Sequence, residues 1–283
     1  MSTIQIFYLS LLQGITEFLP VSSSGHLILL SKFSYFPDQG LALDVAVHVG
    51  SIIAVMIYFS ETIYDIIKGL IKTHFIPTFK DQGAKLFWLL VIGTIPAIAV
   101  GYALKNYGMD WARNTKLIGW TILGYGLLLF VADKISMTIR KIEHMGILDA
   151  IVIGFAQCLA LVPGTSRSGI TVTFARFLGL ERREAAKFSM LLSIPAIIGA
   201  AVLTTLEVWQ AGNINELRWM FDGVIFSYIS SIVAIYIVMW WLKKSTFLPF
   251  VLYRIALGSI LTSSASGSCR RRAIETAERR FTS

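Results

Sequence analysis

The chain carries a succession of apolar stretches, each about as long as a lipid bilayer is thick, and this constrains the fold more than any other feature. A hydrocarbon core about 30 Å thick needs roughly 20 apolar residues per spanning helix. Residues 42–59, 86–104, 117–132, 188–206 and 224–242 meet that length, and 250–262 is a weaker sixth candidate. Lipid offers no partner to an open backbone group, so such segments fold as helices. The expectation is an all-α polytopic membrane protein. The composition agrees, with 55% hydrophobic and 15% charged residues and a mean hydropathy of +0.68.

Residues 1–262 read as one integral membrane domain. Residues 263–283 are polar and basic, with Arg270, Arg271, Arg272, Arg279 and Arg280, and read as a disordered C-terminal tail. The first apolar run has no basic residue before it and meets Glu17 and Pro20, so no cleaved signal peptide is expected. Cys158 and Cys269 stand in an apolar stretch and in the tail, which argues no disulfide framework. The net charge of +8 falls mostly between spans, where topology explains it better than nucleic acid does.

Two further segments are apolar but broken. Residues 4–30 are interrupted by Pro20-Val21-Ser22-Ser23-Ser24-Gly25-His26, and residues 147–180 by Pro163-Gly164-Thr165-Ser166-Arg167-Ser168-Gly169. Both keep one order, a glutamine (Gln13, Gln157), then a proline, then a serine-rich turn ending in glycine, which reads as an internal repeat. Lysine and arginine concentrate in the connections at 60–85, 133–146 and 179–187 and at Lys243 and Lys244, which assigns those to the cytoplasm, whereas 31–41, 105–116 and 207–221 belong outside. The sides agree only if 147–180 enters from the cytoplasm and returns. Residues 4–30 would then enter from the other face, giving inverted repeats with two re-entrant helix–loop–helix hairpins, whose half-helix ends suit an anion near the midplane.

The breaks hold the residues that carry chemistry. Glu17 lies one helical turn from Gln13, and a carboxylate in an apolar segment is costly unless paired, metal-bound or wet. Gln13 and Glu17 offer hard oxygen ligands for Mg²⁺ or Ca²⁺. Ser22, Ser23 and Ser24 supply hydroxyls, of which Ser23 is the best candidate nucleophile with His26 as a neighbouring base; the alternative for each serine is helix capping. Arg167 suits bidentate phosphate contact, and its rival reading is a pair with Glu17. Ser166, Ser168, Gly169 and Thr171 surround Arg167 and, with Ser22, Ser24 and Gly25, are the expected substrate-binding set. His48 and Asp44 read as structural, Lys187 and Arg254 as snorkelling, and Trp88, Trp240 and Trp241 as interfacial anchors.

The runs Gln13–His26 and Pro163–Gly169 together resemble the undecaprenyl-diphosphate phosphatase family of the bacitracin-resistance type. The likeness extends from about Leu11 to Gly258 and includes Phe247-Leu248-Pro249-Phe250 and Tyr253-Arg254. It implies Glu17, Ser23, His26 and Arg167 as active-site residues. It also implies metal-dependent removal of the distal phosphate of a polyprenyl diphosphate at the external face of the bacterial inner membrane, recycling the carrier lipid for cell-wall synthesis. Whether Ser23 attacks or positions water stays open, as does homo-oligomerisation. The apolar run that the family carries after Gly258 is replaced here by the polar tail. A secondary transporter or flippase for an anionic lipid is the competing reading, because inverted re-entrant repeats also build transporters.

Overall fold

The computed structural model describes residues 3–23, 25–27, 30, 40–105, 114–136, 139–210 and 214–263. In chain order its helices are α1 (Thr3–Phe18), α2 (Gly40–Tyr58), α3 (Ser60–Lys72), α4 (Gln82–Lys105), α5 (Thr115–Ile135), α6 (Ile147–Cys158), α7 (Arg167–Phe177), α8 (Arg182–Gln210) and α9 (Ile214–Trp241), and then α10 (Leu248–Ser263). Among the described residues the only strand-like pairing is a single bridge between Arg140 and Leu180. The tail beyond Ser263 lies outside the described residues, as does Ser24.

The apolar stretches become helices whose outer faces suit lipid. Gln82–Leu104, Thr115–Ile135 and Leu217–Trp241 are each long and apolar enough to cross a bilayer, and side chains such as Ile95, Tyr102, Ile237 and Trp240 project from them exposed. This is a multi-pass membrane protein. Pro96 sits inside α4 and Pro195 inside α8, positions that neighbouring helices make tolerable in lipid. One expectation needs correction: residues 60–72, assigned to a loop because of their lysines, form α3, bent by 81° from α2. Ile63, Ile66 and Leu70 recur at helical spacing, and the last two are buried against the core.

Small and hydroxylated residues set how closely the helices pack, and so fix α1. At Gly14 an added Cβ would run into Ser230, so α1 and α9 touch almost backbone to backbone. Ser230 Oγ donates to the Ser10 carbonyl at 3.1 Å and Ser231 Oγ to the Gly14 carbonyl at 3.4 Å. Ser231 also donates to Ser51 Oγ at 3.0 Å, and Ser51 lies 3.0 Å from Ser227 Oγ. This serine ladder clamps α1 between α2 and α9 and orients the α1 face that carries Gln13 and Glu17. On its opposite side α1 shares an apolar groove of about 710 Å³ with α9, lined by Phe7, Leu11 and Ile15 against Phe226, Val233 and Ile237.

A charged cluster ties the helices together about 14 Å further along α7, nine residues from Arg167 at the helical rise. Asp133 accepts from Arg176 Nε at 3.2 Å, from Arg182 Nε at 2.7 Å and from the Phe247 amide at 3.3 Å. Nearby, Arg140 forks onto Asp149 at 2.7 and 3.2 Å and donates to the Leu178 carbonyl. With Arg176 fully buried, loss of Asp133 would leave an uncompensated cation, a costly defect.

Candidate active site

Both serine-rich turns are built in the same way. Ser22 and Ser166 have φ of 77° and 72°, left-handed values that few non-glycine residues adopt. Each hydroxyl then caps the amide three residues on: the Gly25 amide donates to Ser22 Oγ at 3.3 Å and the Gly169 amide to Ser166 Oγ at 3.1 Å. The main chain repeats the pattern, His26 N to the Ser22 carbonyl and Ile170 N to the Ser166 carbonyl. A left-handed residue with a hydroxyl cap turns the chain sharply while leaving few amides open.

The turns meet at Glu17. Arg167 Nη2 donates to Glu17 Oε1 at 2.8 Å, while Ser23 Oγ and Gln13 Nε2 each donate to Glu17 Oε2 at 2.8 Å. Arg167 Nη1 is steadied by the Ser189 carbonyl at 3.0 Å. The pairing of Arg167 with Glu17, weighed in the sequence as a rival to an anion clamp, is therefore present. Nothing in it prevents the second role, because Arg167 is 16% exposed against 5% for Glu17. Ser168 Oγ donates to the carbonyls of Glu17 and Leu19 at 2.9 and 3.1 Å, locking one turn onto the other. Thr171 lies behind them, its Oγ1 donating to the Arg167 carbonyl and lying 2.7 Å from Ser189 Oγ. Ser168 and Thr171, expected to bind substrate, thus have protein partners that position Arg167.

Three histidine and arginine assignments change. His26 is not the partner of Ser23: its Nδ1 donates to the Ser22 carbonyl at 2.6 Å and its Nε2 accepts from the Tyr253 hydroxyl at 2.6 Å, with the two rings stacked. The carboxylate in contact with Ser23 is that of Glu17. His48, expected to be structural, reaches from α2 to within 3.5 Å of Glu17 Oε2. Arg254, expected to snorkel, is 0% exposed. Its guanidinium donates to the carbonyls of Pro20, Gly164 and Thr165 at 3.0 to 3.2 Å, and to those of Ile122 and Thr121 at 2.9 and 3.4 Å. It therefore staples both turns from below with main-chain acceptors alone. The signal for Arg254 is present in the sequence, since a charge in an apolar segment marks function in residues 250–262 as much as at Arg167.

The sequence matches the family described as bacitracin resistance protein BacA over residues 6–260. The chain belongs to the BacA family. It is 44% identical over 272 residues to undecaprenyl-diphosphatase 1 of Rhodospirillum rubrum, covering 94% of this chain and 96% of that relative. It is 43% identical over 261 residues to the undecaprenyl-diphosphatase of Alteromonas mediterranea, covering 92% and 98%, and 41% identical over 282 residues to that of Erythrobacter litoralis, covering 92% and 99%.

In this BacA-family chain the donor set at the junction fits a divalent cation of the hard type. Gln13 Oε1 is buried with no hydrogen-bond partner, on the same amide whose nitrogen touches Glu17 Oε2. An orphaned amide oxygen beside a carboxylate is what Mg²⁺ or Ca²⁺ would use. Among the described residues no three His, Cys, Asp or Glu side chains gather, so such an ion would draw further ligands from phosphate oxygens and water.

Proposed function

We infer that this protein hydrolyses undecaprenyl diphosphate to undecaprenyl phosphate and inorganic phosphate, with Glu17, Ser23 and Arg167 as its working residues. The observation that carries the reading is the convergence of a hydroxyl and a guanidinium on opposite oxygens of one buried carboxylate, next to the activity for which the relatives are named. Ser23 Oγ already donates to Glu17, so Glu17 is the base that removes its proton as Oγ attacks the distal phosphorus. The bond from that phosphorus to the bridging oxygen breaks, and undecaprenyl phosphate leaves with the bridging oxygen. Glu17 passes that proton to the departing undecaprenyl phosphate and, ionised again, takes one from a water whose oxygen attacks the phosphorus on Ser23. The P–Oγ bond breaks, inorganic phosphate leaves and the proton returns to Ser23 Oγ. Direct attack by a water held by Ser23 and Glu17 gives the same products in one step. Arg167 turns its fork toward the phosphate oxygens, where charge accumulates in the transition state. Gln13 and Glu17 would hold a divalent ion, which supplies further neutralisation of phosphate charge when bound.

His26 acts on this reading through the main chain, holding Ser22 and hence Ser23 in place. Ser166, Gly25 and Gly169 shape the two turns, and Ser22 caps the first. The site opens to the external face of the bacterial inner membrane. Support for a re-entrant hairpin in the second segment comes from the lengths of α6 and α7, 12 and 11 residues, or about 17 Å each, which is little more than half of a crossing. A transporter needs no nucleophile in contact with a base, and the Ser23–Glu17 bond favours the enzyme.

The test is phosphate release from undecaprenyl diphosphate by purified protein in detergent, with and without a chelator. Release by the wild type, lost in Ser23→Ala and in Arg167→Ala, is expected. No release from folded wild-type protein would sink the reading and make lipid transport across liposomes the next assay.

A further inference from the structure

His48 is absorbed by none of these roles. On α2, its Nδ1 lies 2.6 Å from the Asp44 carbonyl. A carbonyl can only accept, so Nδ1 carries a proton and Nε2 is the ring atom turned toward the site. Nε2 lies 3.5 Å from Glu17 Oε2, longer than an ordinary hydrogen bond. An acceptor, Gln13 Oε1, is buried without a partner on the neighbouring amide, whose nitrogen is 2.8 Å from the same carboxylate oxygen. A ring nitrogen, a carboxylate oxygen and an unpartnered amide oxygen thus belong to three neighbouring side chains, and a cation held among them would use all three. The Nδ1 bond also suits metal ligation, because a ligating histidine almost always donates its other ring nitrogen to a carbonyl or carboxylate that fixes the tautomer. The imidazole is part-exposed at 28%, enough to reach an ion arriving with substrate.

We propose that His48 Nε2 is a third protein ligand of the divalent cation at this site, beside Glu17 and Gln13, and that it biases the site toward manganese and away from calcium. The proposal rests on the cation reading above and names the residue that selects the ion. Ca²⁺ takes oxygen ligands almost exclusively, whereas a transition ion such as Mn²⁺ accepts an imidazole nitrogen. An all-oxygen set from Glu17 and Gln13 would have no reason to separate the two.

The experiment uses the purified full-length chain in detergent with MnCl₂ as the probe and no lipid substrate. Pulsed electron paramagnetic resonance of the bound ion reads coupling to a ligating ¹⁴N, and competition with CaCl₂ reads selectivity. The wild type is expected to show ¹⁴N coupling. His48→Gln, which puts an amide oxygen in its place, is expected to lose that coupling and to reduce the preference for Mn²⁺ over Ca²⁺ by about tenfold or more. Wild-type Mn²⁺ bound at Glu17 without ¹⁴N coupling overturns the inference and identifies a proton, not a metal, as the charge between His48 and Glu17. Coupling that persists in His48→Gln overturns it also. If Mn²⁺ binding is the same in wild type and Glu17→Ala, the cation reading of the site falls with it, while phosphate release remains a separate test of the enzyme. The wild-type spectrum decides even if the variant fails to fold.

Discussion

The turn after α1 and the turn before α7 share a frame and divide the chemistry. Both place a serine in a left-handed conformation and use its hydroxyl to cap the amide three residues on. Aligned in sequence on those serines, Gln13 matches Gln157, Gly25 matches Gly169, and Ser23 falls where Arg167 stands. The difference is in what each frame presents. The first turn offers a hydroxyl beside the Glu17 carboxylate, groups that give up and take a proton. The second offers a guanidinium, which does neither and stabilises negative charge. Gln157, the partner of Gln13, has both amide atoms buried without a hydrogen bond, and one turn further on Leu161 occupies the place of Glu17. The two turns are therefore complementary, the first holding the hydroxyl and carboxylate and the second the guanidinium.

The comparison breaks most visibly where the halves differ. Arg167→Ala is expected to lower kcat/KM by about 10³-fold, because one preorganised donor to developing charge is worth that much. Glu17→Gln is expected to lower it by a similar factor through loss of the base, and phosphate release measures both. A Glu17→Gln protein that kept wild-type rates would remove the base from the first turn and end the division of labour.

What holds the halves together should matter next. Arg254 gives its donors to carbonyls of both turns, so Arg254→Met leaves several buried acceptors unpaired. A stability loss of about 3 kcal/mol is expected, since each buried unsatisfied group costs roughly 1–3 kcal/mol. Thermal unfolding in detergent reads this, and an unchanged Tm would show that the turns need no staple.

The shared frame makes a smaller and symmetrical prediction. Ser22→Gly and Ser166→Gly each remove a cap but ease the left-handed φ, so each is expected to cost only a few tenths of a kcal/mol. Ser22→Ala and Ser166→Ala lose the cap and keep the strain, and about 1 kcal/mol each is expected. Unequal costs in the two turns would mean that their likeness is geometric only.

An ordinary cap outside both turns gives the reference for the smallest effect. Asp81 accepts from the Ala84 and Gly83 amides ahead of α4. Those bonds, the Ala84 one foremost, together with Lys72 hold its carboxyl below the usual range. A depressed folded pKa contributes stability above the unfolded value and loses it as pH falls through the folded one. Asp81→Asn should therefore flatten the acid limb of the Tm profile slightly and leave phosphate release unchanged.

Much of the architecture is legible in the sequence. Of the expected spans, 86–104, 117–132 and 224–242 fall in helices long and apolar enough to cross alone, and 42–59 passes only together with the bent α3; Glu17, Ser23 and Arg167 stand out because polar groups in apolar segments need a reason. Physical causes explain the rest. The α2–α3 bend has no marker because Phe59 continues the apolar pattern across it. His48 reads as structural in the sequence because its neighbour, Glu17, lies on another helix, and periodicity cannot report a contact between helices. Proximity along the chain matches His26 to Ser23, yet the left-handed Ser22 turns the ring toward Tyr253. Arg254 reads as a snorkelling cation because its five carbonyl acceptors come from turns and a helix more than 80 residues away.

The central claim is that the two turns act as one centre, and a double-mutant cycle on phosphate release from undecaprenyl diphosphate tests it most directly. Ser23→Ala, Arg167→Lys and the double variant would be compared with wild type by kcat/KM. Groups that act as a unit are strongly non-additive, so the double variant is expected to fall no more than about tenfold below the slower single. Single losses that simply multiply in the double variant would contradict the claim and separate the two turns into independent parts.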